Sequence, residues 1–518
     1  MPEAAPPRAQ GRTGATLTVM WWTFIGKAAG MVRDILIAAY FGAGYVGDAY
    51  AAAQAVPQSI NSILNQGLST VTVPYFHEDQ DDAPRLNTAL TYLTVATHVV
   101  LVAALILIGP YYLPLLTHSA QGTHEAERIV WLFALMLIPL DLAALWTARL
   151  NAVRRFVPLS AANLVRSGSN VIVLIVFYLL FRLGTQSAGA AFLLGATFAL
   201  LYMFPATRPF PRPRPGTWRR AWHAIRLLPS QMTSSVVGQV NFLVDQAFAS
   251  SVAVGGLVEL TFGGQFLELP VSLFGSSLAT VLFTDFTQHA QDKDAQGLIA
   301  AVDRALYLTW VGTVPIALLL IGFAQPATSM LFHYGRYSHA AVLATASIVA
   351  AYAGSLVFRT MQQFVARAFF AQKNTKTLAY VSAFFIALNA LLDWVLLHLI
   401  GAPGIALGTT IDGALYFAIT LYLMERMLVG RHVISLRPYL WALLAALPIA
   451  PLGLLISRLA VVHGRLAQLG LVVAGSVALL ALFFALLRLF GGARAQDALS
   501  LVSRILRAPA RRLAARRR

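Results

Sequence analysis

The chain contains no cysteine. Disulfides, thiolate metal sites and thiol nucleophiles are therefore excluded. Charge is nearly as scarce. Only 11% of the 518 residues are charged, where a soluble domain carries about 25%. Acidic residues are the rarer sign, 21 against 38 Lys and Arg, for a net charge of +17. The alternating segments of about ten residues that mark barrel strands are missing. So are HExxH, the P-loop GxxxxGK[ST] and the nucleophile elbow GxSxG, which argues against an enzyme and against ATP hydrolysis within this chain.

Apolar residues fill the space that charge leaves. They make up 58% of the sequence, and the mean hydropathy is +0.69. The apolar runs reach or exceed the length that a membrane-spanning helix needs. The fold class this predicts is an all-α polytopic membrane protein. A basic chain can also signal nucleic acid, but here the arginines cluster in connecting loops and the tail. Cytoplasmic loops obeying the positive-inside rule explain that pattern, and no nucleic-acid partner is expected.

Residues 26–76 organise the reading. The stretch is long enough to cross a membrane twice, yet it carries Lys27, Arg33, Asp34 and Asp48. A charge at the centre of a membrane helix costs about 2.5–3.5 kcal/mol on insertion scales, so such residues by default face a protein interior or a wet cavity. Glycines at 26, 30, 42, 44 and 47 loosen the helix and allow a turn before Asp48, and Pro57 predicts a bend in the second helix.

About fourteen spans are expected, at 16–40, 47–75, 87–110, 127–150, 158–182, 187–205, 223–251, 255–286, 299–324, 338–370, 375–399, 402–427, 437–459 and 466–490. Residues 1–15 read as a disordered tail ahead of a retained first helix rather than a cleaved signal. Arg154 and Arg155, the arginines of 208–220, Lys373 with Lys376, and Arg431 with Arg437 fall in one set of loops, which places both termini in the cytoplasm. The acidic run 77–82 lies on the same side and weighs little in that rule.

The halves look related. LSTVTVPYF (68–76) matches LATVLFTDF (278–286), with Pro57 before the first and Pro270 before the second. Ala148-Arg149 with Asn170 recurs as Ala366-Arg367 with Asn389. A parallel repeat of about six helices predicts two pseudo-symmetric bundles, 16–205 and 223–427, joined by a basic, proline-rich linker at 206–222. Two extra helices at 437–490 and a basic tail at 491–518 follow. The tail is expected either to lie on the anionic inner leaflet or to be solvated.

VRD-x4-AYFGAG-x3-DAY-x6-P (32–57), ARLNAVRRFVP (148–158), LFHYGRY (331–337) and ARAFFAQKNTKT (366–377) resemble the MurJ/MviN family of bacterial lipid-linked peptidoglycan precursor flippases. The resemblance covers nearly the whole chain. It implies a V-shaped transporter of the multidrug/oligosaccharidyl-lipid/polysaccharide exporter superfamily in the inner membrane. The first, second, seventh and eighth spans would line a cationic cavity, and the last two would form a groove for the lipid tail. The implied substrate is an undecaprenyl-pyrophosphate-linked disaccharide-pentapeptide, moved to the outer leaflet. Membrane lipids and cell-wall synthases are the implied partners.

A pyrophosphate in a low-dielectric cavity needs cations. Lys27 and Arg33 can supply them, with Arg33 suited to forked contacts with phosphate oxygens. Asp34, Asp48 and Glu268 are candidate counter-ions when the cavity is empty, and Asn61, Gln66 and Gln265 complete the candidate substrate-binding set. Arg33 and Asp34 could instead anchor the helix in its bundle, and for Asp34 and Asp48 a structural or gating role is favoured. The sequence departs from the family pattern here. Lys27 stands for an arginine, Asn61-Ser62 for an arginine pair, Gln66 for a glutamate and Gly264-Gln265 for Asp-Arg. A changed lipid-linked substrate, a diverged paralogue and a transport-inactive scaffold for cell-wall synthesis stay open.

Some members of the family bind Na⁺. The matching groups are Asp245, Asn389, Asp393, Thr409 and the Ile405 carbonyl, all oxygen donors suited to a hard cation. Asn389 and Asp393 are one turn apart and share a helix face. Protons on the same carboxylates are the alternative. No other cofactor is expected. Asp141, Arg166, Arg359 and Asp412 are read as pairing within bundles or lining the cavity, and His98 and His398 as polar packing.

Overall fold

The computed structural model describes residues 12–78, 81–153, 155–272, 274, 286–372, 374–459, 465–492 and 494–496. Residues 1–11 of the expected N-terminal tail, most of the second repeat landmark at 278–286, Arg154, Lys373 and the basic tail beyond 496 lie outside these residues; residues 12–15, expected as disordered tail, are instead helical, as the first turn of the first helix. Every secondary-structure element among the described residues is a helix.

The chain divides into two compact units. The first runs to Val258 and includes residues 334–337. It holds α1 (Arg12–Phe41), α2 (Tyr45–Glu78), α3 (Ala83–Leu116), α4 (Ala120–Ala152), α5 (Phe156–Leu179), α6 (Gln186–Thr207) and α7 (Pro215–Val252). Helix α8 (Gly256–Val271) begins there. Helix α2 packs on α4 and α7, α4 on α3 and α6, and α5 on α1 and α6. These units are defined by contact, a different property from the internal repeat at the level of sequence.

The second unit holds the rest of α8, then α9 (Ala295–Gly322), α10 (Ala324–Phe332), α11 (His339–Ala371), α12 (Thr375–Ile400), α13 (Ala402–Val429), α14 (Arg437–Ala446), α15 (Ile449–Leu459) and α16 (Arg465–Phe490). Helix α13 packs on α11 and α12, and α9 on α11 and α15. The short α10 occupies sequence between two expected spans. The expected span 437–459 is broken at Leu447-Pro448 into α14 and α15, because proline cannot donate to the helical ladder.

Among the described residues ten helical stretches are long and apolar enough to cross a membrane, α14 and α15 together counting as one. Helices α1, α2, α7 and α8, which correspond to the other expected spans, do not meet that criterion over the described residues. Helix α2 falls short because Asp48, Gln54, Gln58, Asn61, Ser62, Asn65 and Gln66 interrupt its apolar face. Large apolar side chains such as Leu107, Leu180 and Leu489 stand exposed on their helices, as lipid-facing positions require.

Helix ends are closed by short polar side chains. Ser119 Oγ accepts from Gly122 N at 3.1 Å, Ser338 Oγ from Ala341 N at 3.2 Å and Asp294 Oδ1 from Gly297 N at 2.8 Å, each satisfying one orphan amide. In the first unit the GlyArg step of LFHYGRY docks on the last turn of α1. Arg336 N donates to Ala39 O at 2.9 Å. Gly335 has φ +54°, and a Cβ there would lie 2.2 Å from Ala39 O, so only glycine permits this approach. In the second unit Tyr439 Oη donates to Asp303 Oδ1 at 2.7 Å, and Arg494 Nη1 lies 2.8 Å from Asp303 Oδ2. These contacts tie α14 and the residues after α16 to α9.

Candidate functional site

Helices α1 and α5 bring three cations into one pair of packed helices: Lys27 and Arg33 on α1, Arg166 on α5. The register is set where Gly26 faces Asn163 across the contact. Arg33 donates from Nε at 2.9 Å and from Nη2 at 2.7 Å, both to Asp34 Oδ1. Neighbouring positions on a helix do not normally face each other. The long arginine side chain reaches round to its neighbour. Its guanidinium also lies over the Phe192 ring of α6, 4.4 Å from the centroid, a cation–π contact.

Asp34 is nearly enclosed, with its side chain 6% exposed, while the Arg33 side chain keeps 17%. The cation is thus the more accessible member of the pair. Arg166 is half-buried, and its charge acts on that of Arg33. Among the described residues it forms no ion pair with a carboxylate. Its backbone carbonyl is fixed one turn on by Asn170, whose side-chain amide, oriented with its NH₂ toward acceptors, donates to Arg166 O at 3.0 Å and Ala191 O at 2.8 Å. Lys27, six positions before Arg33 on α1, is half-buried. Burying guanidinium groups without enough carboxylates is costly, and the arrangement is suited to receive an anion.

The other candidates on α2 are engaged differently. Asp48 is 2% exposed. Its oxygens accept from Gly255 N at 2.6 Å and Val258 N at 3.1 Å. It therefore closes the N-terminus of α8, where the helix dipole favours a negative charge. Asn61 is buried and donates to Asp141 Oδ1 at 2.8 Å. Gln66 is exposed and accepts from Ser235 Oγ of α7. Gln265 is half-buried and Glu268 exposed on α8, both within the second unit.

Four of the five candidate ion ligands lie in the second unit, on the packed pair α12 and α13. Asn389 and Asp393 are both fully buried, with Asn389 Nδ2 3.5 Å from Asp393 Oδ1. Asn389 Oδ1 is buried with no hydrogen-bond partner among the described residues. Such an orphan oxygen beside a carboxylate fits a cation. On α13, Thr409 Oγ1 donates to Ile405 O at 3.1 Å. Gly408 makes room, since a Cβ there would lie 2.4 Å from Asp393 Oδ1. The fifth candidate, Asp245, is buried on α7 in the first unit.

Three ionisable residues outside the candidate sites are specifically placed: His98, expected as polar packing, and Asp141 and Arg166, expected to pair within bundles or line the cavity. His98 and Asp141 meet at 2.7 Å between α3 and α4. Each is an ionisable side chain in an apolar run, but pairing across 43 positions could not be read from spacing. Arg166 is the third such residue. The signal for it was present, an arginine in an apolar run, without a carboxylate one turn away.

Comparisons with known proteins follow this geometry. A family model described as "Lipid II flippase MurJ" matches residues 37–490. A probable lipid II flippase MurJ of Thermotoga maritima is 28% identical over 421 residues, covering 80% of this chain and 85% of the relative. The lipid II flippase MurJ of Burkholderia cenocepacia is 23% identical over 423 residues, covering 77% of this chain and 81% of the relative. Among solved structures, a lipid II flippase MurJ in an inward closed conformation superposes with a TM-score of 0.75 at 21% identity, over 90% of this chain and 99% of that one. An inward-facing multidrug transporter of the MATE family, in the MOP superfamily, gives 0.68 at 12% identity, over 80% of this chain and 98% of that one. The structural likenesses speak for the fold.

Proposed function

From the premise that this chain belongs to the lipid II flippase MurJ family, we propose how its own residues carry the headgroup. The chain is a lipid II flippase, a multi-pass membrane transporter and not an enzyme. Its substrate is the lipid-linked peptidoglycan precursor, and translocation proceeds by alternating access.

The pyrophosphate of the substrate is received by the cations of α1 and α5. Arg33 is the principal contact. When the cavity is empty, Asp34 neutralises it. When the pyrophosphate arrives, the guanidinium turns its fork from one carboxylate oxygen to two phosphate oxygens. Lys27 adds a point charge and Arg166 a second guanidinium. Arg166 stands in for positive charge that α2 and α8 of this chain lack, where Asn61, Ser62, Gly264 and Gln265 are neutral. The observation that carries this reading is the pairing of Arg33 with its own neighbour, near an Arg166 that has no carboxylate partner among the described residues. That surplus of positive charge is unfavourable until an anion enters.

The return step draws on an ion. Asn389, Asp393, Thr409 and the Ile405 carbonyl would hold Na⁺, with Asp245 the remaining candidate. The membrane potential contributes to its entry. The protein resides in the bacterial inner membrane with both termini in the cytoplasm, a placement supported by the arginine-rich loops. Cell-wall synthases are its candidate protein partners.

The test is complementation of a flippase-depleted strain. Arg33→Ala abolishes rescue, and Arg33→Lys restores it only in part, because a point charge loses the fork. Normal growth of the alanine variant at normal expression refutes the assignment.

A further inference from the structure

Between α2, α3 and α4 lies a polar group that the proposed headgroup and Na⁺ sites do not use. His98 is 4% exposed and Asp141 is 0% exposed. His98 Nδ1 lies 2.8 Å from Thr94 O, and His98 Nε2 lies 2.7 Å from Asp141 Oδ2. Asn61 Nδ2 donates to Asp141 Oδ1 at 2.8 Å. Apolar residues of the same three helices, among them Ile60, Val102, Leu105 and Leu137, pack beside it.

The geometry fixes a proton count. A carbonyl oxygen is only an acceptor, so Nδ1 must carry a hydrogen. A neutral imidazole then has a bare Nε2, which cannot face a bare carboxylate oxygen at 2.7 Å. Two arrangements satisfy every contact. Either the ring is an imidazolium beside a carboxylate, or a neutral ring accepts from a carboxylic acid. Both hold one proton more than a neutral histidine with an ionised aspartate. Removing that proton places lone pair against lone pair at one of the two ring nitrogens, so one contact must open.

No neighbouring charge can take the proton's place. Within the three helices the nearest charged groups along the chain are Arg85 on α3, Asp48 on α2 and Arg149 on α4. Helix α7, packed on α2 and α3, brings Asp245; α6, packed on α4, carries no Asp, Glu, Lys, Arg or His; α1 brings Arg33 with Asp34, and α5 brings Arg166. Helix α7 also carries Arg219, Arg220, His223 and Arg226, and α1 Lys27; among the described residues the hydrogen bonds and ion pairs of His98, Asp141 and Asn61 run only to one another, to Thr94 and to Thr97. The helices are also breakable here. Pro57 lies one turn before Asn61 in α2, and Pro139 two positions before Asp141 in α4. Each proline leaves a gap in its helical ladder, the usual place for a helix to bend.

We propose that His98 and Asp141, joined to α2 through Asn61, form a proton-binding site that is loaded in this conformation and releases its proton when α2 bends during the transport cycle. The ligand is H⁺. On release, the site carries one net negative charge in an apolar surrounding. That charge is tolerated only if the α2–α3–α4 contact opens toward water. A transmembrane proton gradient would then bias the conformational equilibrium of the first unit, apart from any Na⁺ bound in the second. The coupling role rests on the flippase reading; the proton site itself does not.

Two measurements on the full-length protein test this. In vesicles with lipid-linked substrate and the membrane potential clamped at zero, an imposed pH step changes the wild-type flipping rate several-fold. Asp141→Asn keeps the shape and the hydrogen bonds of the protonated pair but cannot release a proton, and its rate ratio with and without the step falls to one. An insensitive wild type, or a ratio that persists in the variant, overturns the proposal. Because the variant could be inactive for another reason, the pair is also read in nanodiscs with ¹⁵N-labelled histidine. A resonance absent from His98→Gln should show the extra shared proton near neutral pH, move as pH is raised, and lose that response in Asp141→Asn. A His98 signal that ignores pH, or titrates unchanged in Asp141→Asn, also overturns it. A wild type that shows the titrating pair yet flips no substrate counts against the flippase reading alone.

Discussion

Replacing Arg166 with alanine separates a residue kept for its ligand from one kept for the fold. Arg166 is half-buried on α5, feels the charge of Arg33 and has no carboxylate partner among the described residues. An arginine at the centre of a membrane helix costs about 2.5–3.5 kcal/mol on insertion scales. The like charge nearby adds to that cost. Removing the guanidinium should therefore leave stability unchanged or raise it, against the usual trend for core substitutions. A hydrogen bond to a charged group contributes about 1.5–3 kcal/mol. Losing such a bond to the pyrophosphate lowers substrate affinity about 10- to 150-fold.

The assay pairs two readouts on one preparation, thermal unfolding in nanodiscs and flipping in vesicles. Arg166→Ala should unfold at the same or a higher temperature, with flipping sharply reduced at limiting substrate. Arg166→Lys should recover part of the rate. Two results refute the reasoning. A variant that is stable and flips normally shows that the guanidinium touches no substrate. A variant that loses stability and activity together shows that Arg166 holds the bundle.

Asp48→Ala leaves the Gly255 and Val258 amides without their acceptor, and at about 1–3 kcal/mol for each orphaned buried donor it should destabilise the protein by about 2–6 kcal/mol; Asp48→Asn, which keeps one acceptor, should cost about half, and an unchanged unfolding transition in both would show the cap to be dispensable. Na⁺ should raise the unfolding temperature of the wild type, by an amount equivalent to about 2.7 kcal/mol at a hundredfold excess over Kd, while choline does not; Asn389→Ala should abolish the effect, and a retained Na⁺ response would remove Asn389 from the ligand set. The backbone amide of Gly297, followed by His289, holds the Asp294 carboxyl below the usual carboxylate range. Because its folded pKa lies under the unfolded one, the cap on α9 is fully formed above the ordinary carboxylate range and fails only as pH falls through the depressed value; hydrogen exchange at the first turn of α9 should stay protected at mildly acidic pH, and early loss there would contradict this.

Much of this molecule could be read from composition because lipid leaves the chain few choices. A backbone without water must satisfy itself within each helix, so long apolar runs translate directly into α3–α6, α9 and α11–α13. Charge in such a run is informative for the same reason, which is why Arg33 and Asp393 stood out. What sequence could not supply was pairing. Asp48 was a candidate counter-ion with a structural or gating role favoured, but that it caps α8 could not be read, since its partners are backbone amides over 200 positions away, invisible to side-chain pattern. His98 looked like packing because its partner Asp141 lies on another helix. Asn61 was expected to face substrate, and its amide is held by that same aspartate. The break of α14 from α15 was legible at Pro448, whereas α10 is a short helix without a span's length to announce it.

The two landmark asparagines of the repeat show how one scaffold came to hold opposite charges. Asn170 on α5 and Asn389 on α12 follow the Ala148-Arg149 and Ala366-Arg367 steps at nearly the same separation in the sequence. In the first unit the Asn170 amide is spent on the carbonyls of Arg166 and Ala191, so it steadies backbone beside a cation. In the second unit the Asn389 amide donates toward Asp393 at 3.5 Å, and its oxygen has no hydrogen-bond partner among the described residues. An asparagine whose NH₂ is satisfied by carbonyls leaves nothing for a cation. One whose oxygen is orphaned beside a carboxylate offers two of the ligands a hard cation needs. On the proposed reading the halves would divide the work by which end of one amide is satisfied: the first would gather guanidinium groups for an anionic headgroup, and the second oxygens for an ion. If that division holds, exchanging Asn170 for aspartate should disturb the Arg166 side of the first unit and reduce flipping without creating a Na⁺ response, because no open oxygen pair exists there. A new Na⁺-dependent stabilisation in Asn170→Asp would mean that the repeat, and not the local hydrogen bonding, decides where ions bind.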